Sequence, residues 1–270
     1  VEDYYYIAME YVDGRSSAAL LNRFREKNEK LPIEAVAFLI AEVADALHHA
    51  HFAEDELGRP LGVIHRDVSP ANLLLSFGGE VKVIDFGLAK AANRISQTQD
   101  GVVKGKLAYL SPEQAQGFTI DRRSDLFSLG ICAWEMLTGR RAFKRDDDRE
   151  TVLAIRDGRV ERLGKYATVP PALERIVMKA LAIDRSRRYR TALEIREDLD
   201  RFARTAGLHF GRGELRALMR KTFPERFAGE PVEAISLVTP KKRARKRRAR
   251  GQAESKPKFV PIDTVIDRID

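Results

Sequence analysis

The chain has 270 residues, 44% of them hydrophobic and 33% charged, which suits a buried core under a solvated surface and excludes collagen-like, mucin-like and wholly disordered classes. Its one cysteine, Cys132, excludes a disulfide scaffold and a thiolate zinc cluster, and no apolar run reaches the roughly 18 residues of a membrane span. The net charge of +8 sits in one tract: residues 241–250 (KKRARKRRAR) hold eight Lys and Arg and no acid, and the remainder has 40 basic and 40 acidic residues, so a generally basic nucleic-acid-binding fold is not indicated.

In chain order, Tyr4 to Tyr11 (YYYIAMEY) reads as a strand, ended by the turn chemistry of Asp13-Gly14. Ser16 or Ser17 caps a short helix to about Phe24. Pro32 starts a long helix to about His51, with Ala35, Leu39, Val43, Ala46 and Leu47 at helical spacing. Residues 53–62 form a polar loop, longer than the connection requires, which costs little at a surface. Val63-Ile64 and Leu73 to Leu75 are short apolar pieces around a further loop, and Val81 to Ile84 (VKVI) is a short strand. Residues 88–108 pattern as an exposed loop. Helices are expected over Ser124–Leu137, Thr151–Arg156, Pro171–Leu181, Thr191–Ala206 and Gly213–Met219, and periodicity ends after Phe227. No internal repeat is present. The body is mostly α, with a few short β-strands near its start.

Chemistry concentrates between the apolar pieces. His65-Arg66-Asp67 is followed five residues after the Asp by Asn72, and thirteen residues later by Asp85-Phe86-Gly87, directly after VKVI. Ser111-Pro112-Glu113 comes later. This order and spacing resemble the signature set of protein kinases, and the chain is similar to bacterial serine/threonine kinases of the eukaryotic-like (Hanks) type over residues 1–205. The resemblance implies a kinase large (C-terminal) lobe over residues 13–205, preceded at 1–12 by the last small-lobe strand and the hinge. Residues 206–228 read as a helical appendage and 229–270 as a disordered basic tail.

What the resemblance implies for the site follows residue by residue. Asp67 receives or orients the proton of the acceptor hydroxyl, while Asn72 and Asp85 are oxygen ligands for Mg²⁺ beside the phosphates of ATP. Met9 is the gatekeeper, Glu10 and Val12 offer backbone groups to adenine, Leu74 forms the floor, and Ser16 lies near the ribose. Met9 and Leu74 are expected in the core under either a kinase or an ordinary-strand reading. Arg66 suits an activation-loop phosphate, for which Ser96 and Thr98 are the candidate acceptors, simple loop polarity being the other reading. Glu113 with Arg188, and Asp125, are expected as structural supports.

Two departures fall in the site. The lysine usual two residues after the catalytic Asp is Ser69, and the usual threonine before the last motif is Lys106. We expect an exchange of places that keeps the charge, with the Lys106 ammonium near the γ-phosphate and Ser69 supplying the hydroxyl; a lysine turned to solvent is the other reading. The larger departure is that no glycine-rich loop and no V-A-I-K-like lysine precede Met9, and the chain opens on Val1 without a signal-peptide pattern. It reads as a truncated form or fragment, lacking the N-terminal lobe and weak in nucleotide binding and transfer. The alternative is a non-catalytic, pseudokinase-like binding module. Expected partners are protein substrates, and through residues 241–250 an acidic partner or anionic surface. The terminal VPIDTVIDRID reads as a short strand or docking peptide. An ATP-using enzyme is expected in the cytoplasm.

Overall fold

The computed structural model describes residues 9–86, 106–143, 145–158 and 160–228. The chain divides into two units, residues 1–228 and 229–270, and every described residue lies in the first.

The first elements are a strand, β1 (Gly14–Ser16), and a helix, α1 (Ser17–Glu26). Ser16 is the N-cap of α1, its hydroxyl accepting from Ala19 N–H at 3.3 Å, which satisfies one of the orphan donors of the first turn. Helix α2 (Ile33–His51) follows, its apolar stripe of Ala35, Val36, Leu39, Ile40, Val43, Ala44 and Leu47 wholly buried. Each fully buried leucine there contributes about 2 kcal/mol of transfer free energy.

Strands β2 (Leu73–Ser76) and β3 (Val81–Val83) complete a three-stranded antiparallel sheet in the order β1-β2-β3. The register pairs Gly14 with Ser76 and Leu73 with Val83. A Cβ on Gly14 would lie 2.2 Å from the Leu75 carbonyl oxygen, so this glycine permits a close strand approach. At the β2–β3 turn Gly79 has φ +89°, and a Cβ there would meet the Arg212 carbonyl oxygen at 2.0 Å.

The later helices are α3 (Pro112–Ala115), α4 (Arg123–Thr138), α5 (Asp148–Arg156), α6 (Pro171–Ala180), α7 (Ala192–Thr205) and α8 (Arg212–Thr222). Helix α4 is buried on every side from Ser124 to Thr138, the signature of a central core helix. Its buried Glu135 is satisfied by the Tyr109 hydroxyl at 2.9 Å, Ala142 N–H at 3.1 Å and Arg141 at 3.2 Å. The described residues are thus mostly helical with one small sheet, as expected.

Three expectations need correction. Residues 1–8 lie outside the described residues, and Met9 to Asp13 carry no strand, so the predicted strand over Tyr4–Tyr11 is not found on its described part. Gly14 begins a strand instead of ending one, because pairing with β2 decides its conformation. Met9 is 64% exposed and is no core residue, since no described element packs over it. Residues 212–223 share the main core: Leu215 and Met219 are fully buried, and Phe223 and Phe227 pack edge-on against Phe77. The long 53–62 loop closes on itself, with Asp55 Oδ1 accepting from Leu57 N–H and Arg59 N–H at 2.9 Å each.

Candidate active site

The β2–β3 hairpin explains why the two motif segments meet. Asn72 ends one loop and enters β2; Val83 pairs with Leu73 and leaves β3 for Asp85. Ile84 N–H donates to the Asn72 carbonyl at 3.0 Å, so Asn72 and Asp85 come together across the open end of the hairpin. Asp85 is exposed and has φ +59°, a left-handed conformation that Asp tolerates better than most residues.

The loop from His65 to Asn72 is held from below. Asp125, on the first turn of α4 and wholly buried, accepts His65 N–H through Oδ2 and Arg66 N–H through Oδ1, both at 2.8 Å. His51, at the end of α2, donates from Nε2 to the same Oδ2 at 2.7 Å. The His65 ring is buried, and burial holds it below the ordinary imidazole range although Asp125 pulls the other way. The neutral ring with its proton on Nε2 satisfies both contacts: Nε2–H donates to the Ile84 carbonyl at 3.0 Å, and Nδ1 accepts Asp67 N–H at 3.2 Å. His65 also lies 4.5 Å from the Phe86 ring, centroid to centroid. One imidazole therefore ties the residue before Asp85 to the backbone of Asp67.

Within the loop, Asn72 donates from Nδ2 to the Asp67 carbonyl at 2.7 Å. That bond fixes the amide orientation, with Nδ2 as the donor and Oδ1 as the acceptor end. Ser69 is 2% exposed and its hydroxyl has no hydrogen-bond partner among the described residues. Such a buried orphan costs about 1–3 kcal/mol and calls for a reason. Ser17 Oγ, at the start of α1, donates to the Pro70 carbonyl at 2.9 Å and ties that helix to the loop.

The segment ending at α3 is held by a buried ion pair. Arg188 donates to both Glu113 oxygens, and Ser124 Oγ donates to Glu113 Oε1 at 2.6 Å. Burial alone would raise the Glu113 carboxyl, but the Arg188 and Ser124 hydrogen bonds outweigh it and hold the group below the usual carboxylate range. Ser111 and Gln114 form a capping box, Gln114 N–H to Ser111 Oγ at 3.3 Å and Ser111 N–H to Gln114 Oε1 at 2.9 Å.

Asp67, Ser69, Asn72 and the Asp85 end of β3 are thus gathered in one place, with Asp125 beneath. Leu74 is half-buried in β2, opposite Ser16 in the register. Val12 is half-buried, and Glu10 is exposed and pairs with Lys82 at 3.2 Å. The Ser16 hydroxyl is engaged in capping α1. The Arg66 guanidinium has no ion-pair or hydrogen-bond partner among the described residues. Lys106 opens a 3₁₀ turn, Lys106–Tyr109, but its side chain is outside the description, as are Ser96, Thr98 and residues 241–250. Gln114 escaped the sequence reading, which named Ser17 only as a candidate helix cap and His51 only as a helix end, not as ties to this loop and to Asp125. The Ser-x-x-Gln spacing from Ser111 signals a cap; nothing in it signals reach to another loop.

The Asn72 amide and the Asp85 carboxylate are oxygen-bearing side chains on two segments joined by the Ile84–Asn72 backbone hydrogen bond. No group of three or more His, Cys, Asp or Glu suited to a metal occurs among the described residues. A pair of oxygen donors suits a cation that keeps waters and takes its remaining ligands from phosphates, as Mg²⁺ does.

A family model described as the protein kinase domain matches residues 1–198. The tyrosine-protein kinase MasK of Myxococcus xanthus is 38% identical over 239 residues, covering 88% of this chain and 37% of the relative. The serine/threonine-protein kinase PknB of Mycolicibacterium smegmatis is 40% identical over 199 residues, 73% of this chain and 30% of the relative. PknB of Mycobacterium leprae is 38% identical over 198 residues, with the same coverage. The chain thus spans 30–37% of the length of these relatives.

Proposed function

Because the chain belongs to the protein kinase domain family, we propose that it supplies the large lobe of an ATP-dependent kinase that phosphorylates serine or threonine hydroxyls of proteins. The observation that carries this reading is the 2.7 Å bond from Asn72 Nδ2 to the Asp67 carbonyl, which sets a hydroxyl-orienting carboxylate beside a cation-binding amide oxygen. Phosphoryl transfer needs positioning and charge neutralisation more than covalent help, and this loop offers both.

In this reading Asp67 orients the acceptor hydroxyl and takes its proton as the hydroxyl oxygen bonds to the γ-phosphorus and the bond from that phosphorus to the bridging oxygen breaks, releasing ADP. Asn72 Oδ1 and Asp85 would hold Mg²⁺, which neutralises phosphate charge when bound. His65 keeps the two carboxylates in register. The orphan Ser69 hydroxyl supports a role for it in contact with the reacting groups, with Lys106 supplying the ammonium. Met9, Glu10, Val12 and Leu74 would receive adenine, and Ser16, through the hydrogen its capping role leaves free, the ribose. Arg66, whose guanidinium has no partner among the described residues, supports capture of a phosphate on Ser96 or Thr98. A pseudokinase-like module has no chemical need of Asp67, Asn72 and Asp85 together, so that alternative is not favoured. No helix among the described residues is long and apolar enough to cross a membrane, and we place the activity in the cytoplasm, where ATP is found.

The test uses the protein expressed from its own gene, with Mg²⁺ and γ-labelled ATP. Label on serine or threonine of a protein acceptor, lost in Asp67→Asn, supports the reading. Label on tyrosine would move the acceptor class. Transfer that survives Asp67→Asn would overturn the assignment of that residue.

A further inference from the structure

We propose that Gln114 is a positioning residue for Asp67, acting through the peptide group that joins Arg66 to Asp67. The functional meaning of this proposal rests on the kinase reading above; its structural content stands on geometry alone.

That peptide group is gripped at both ends. Its carbonyl, on Arg66, accepts from Gln114 Nε2 at 3.1 Å. Its N–H, on Asp67, donates to His65 Nδ1 at 3.2 Å. One bond earlier, Arg66 N–H is held by Asp125 Oδ1 at 2.8 Å. The grip is needed because Arg66 has φ +67°, a conformation that costs a non-glycine residue free energy and persists only where the surroundings impose it. Released from its partners, the peptide plane would rotate, and the Asp67 side chain would turn with it.

The Gln114 amide can face only one way. Its Oε1 accepts Ser111 N–H at 2.9 Å, and an N–H can bond only to the oxygen end. Nε2 is therefore the end that meets the Arg66 carbonyl. The base of this side chain is rigid as well, because the neighbouring Glu113 is bound to Arg188 and Ser124. Gln114 thus bridges the end of the segment at α3 to the loop that presents Asp67. A displacement of α3 reaches Asp67 through this amide.

Gln114→Glu tests the bridge with a change of one atom. The carboxylate can still accept from Ser111 N–H, but its other oxygen faces the Arg66 carbonyl and repels it. Once protonated, it can donate as glutamine does. Two readouts are taken on the protein expressed from its own gene. The first is hydrogen exchange of the segment 65–72 at neutral pH, where loss of one net hydrogen bond is expected to speed exchange about fivefold. The second is the pH profile of kcat. Gln114→Glu should lose about tenfold in kcat near pH 8 with KM little changed, and the deficit should shrink as pH falls toward the carboxyl range.

Unchanged exchange at 65–72, or a kcat deficit that is the same at every pH, would overturn the proposal. If the wild-type protein transfers no phosphate, the kinase reading fails, and the exchange experiment still decides whether Gln114 holds the peptide. Should Gln114→Glu fail to fold, Gln114→Ala gives the same exchange readout.

Discussion

Arg188 grips Glu113 with both ends of its guanidinium, Nη1 to Oε1 at 2.7 Å and Nη2 to Oε2 at 2.9 Å, with the arginine side chain wholly buried. The three remaining donors go to the carbonyls of Ala182, Ile183 and Arg123, at 2.6, 2.9 and 3.2 Å, and the guanidinium lies over the Phe127 ring. Removing one partner strands a buried charge. Arg188→Met should therefore cost about 3–5 kcal/mol in urea unfolding, and Glu113→Gln in the same chain should recover part of it. A loss below about 1 kcal/mol, the range of an exposed pair, would show that the pair does not hold the fold.

The Ser69 hydroxyl has no partner among the described residues, and the proposed function gives it one in the reacting groups. Lys106→Ala should lower kcat by about a hundredfold if the ammonium neutralises charge at the transferring phosphate. The swap Ser69→Lys with Lys106→Thr should then restore more activity than the two single changes predict by addition. Additive losses would sink the exchange.

Asp85 stands exposed just beyond β3, next to Ile84, whose N–H bonds the Asn72 carbonyl. Asp85→Asn should leave thermal stability within about 0.5 kcal/mol, as surface changes do, while raising the Mg²⁺ needed for half-maximal transfer. An unchanged Mg²⁺ requirement would remove Asp85 from the cation site.

His65 gives a pH dependence of known sign. Its folded-state pKa is held below the ordinary value by burial. Between that lowered value and about 6.5 the unfolded chain binds a proton that the native protein refuses. Stability should therefore fall as pH drops through about 6.5, and the decline should level off below the folded value. The comparison is with His65→Gln, which has no proton to gain, so contributions from Glu113 and other carboxylates cancel. A wild-type curve parallel to that of the variant from pH 7.5 to 5.5 would contradict the burial of a neutral imidazole.

Local chemistry in the sequence carried the helices well. The period of Leu39, Val43 and Leu47 marks α2, and the apolar run after Ser124 marks the helix that becomes the core. Helices bond within themselves, so their signal is local. The strand at Gly14 was misread because its partner, β2, is about sixty residues away, and pairing overrode the turn preference of Asp13-Gly14. Met9 was misread for a related reason: an apolar side chain is buried only where another element covers it.

For the site, the sequence by itself determined the residue types and their order: His65-Arg66-Asp67, Asn72, Asp85-Phe86 and Ser111-Pro112-Glu113 name the chemistry because few side chains can perform it. The tertiary structure alone decided how those residues are held. Asp125 carries the loop's N–H groups from sixty residues away, and His51 braces Asp125 from α2. Gln114 reaches the Arg66 carbonyl across 48 positions of sequence. A hydrogen bond depends on a distance of about 3 Å and an angle, and neither exists until the helices have packed.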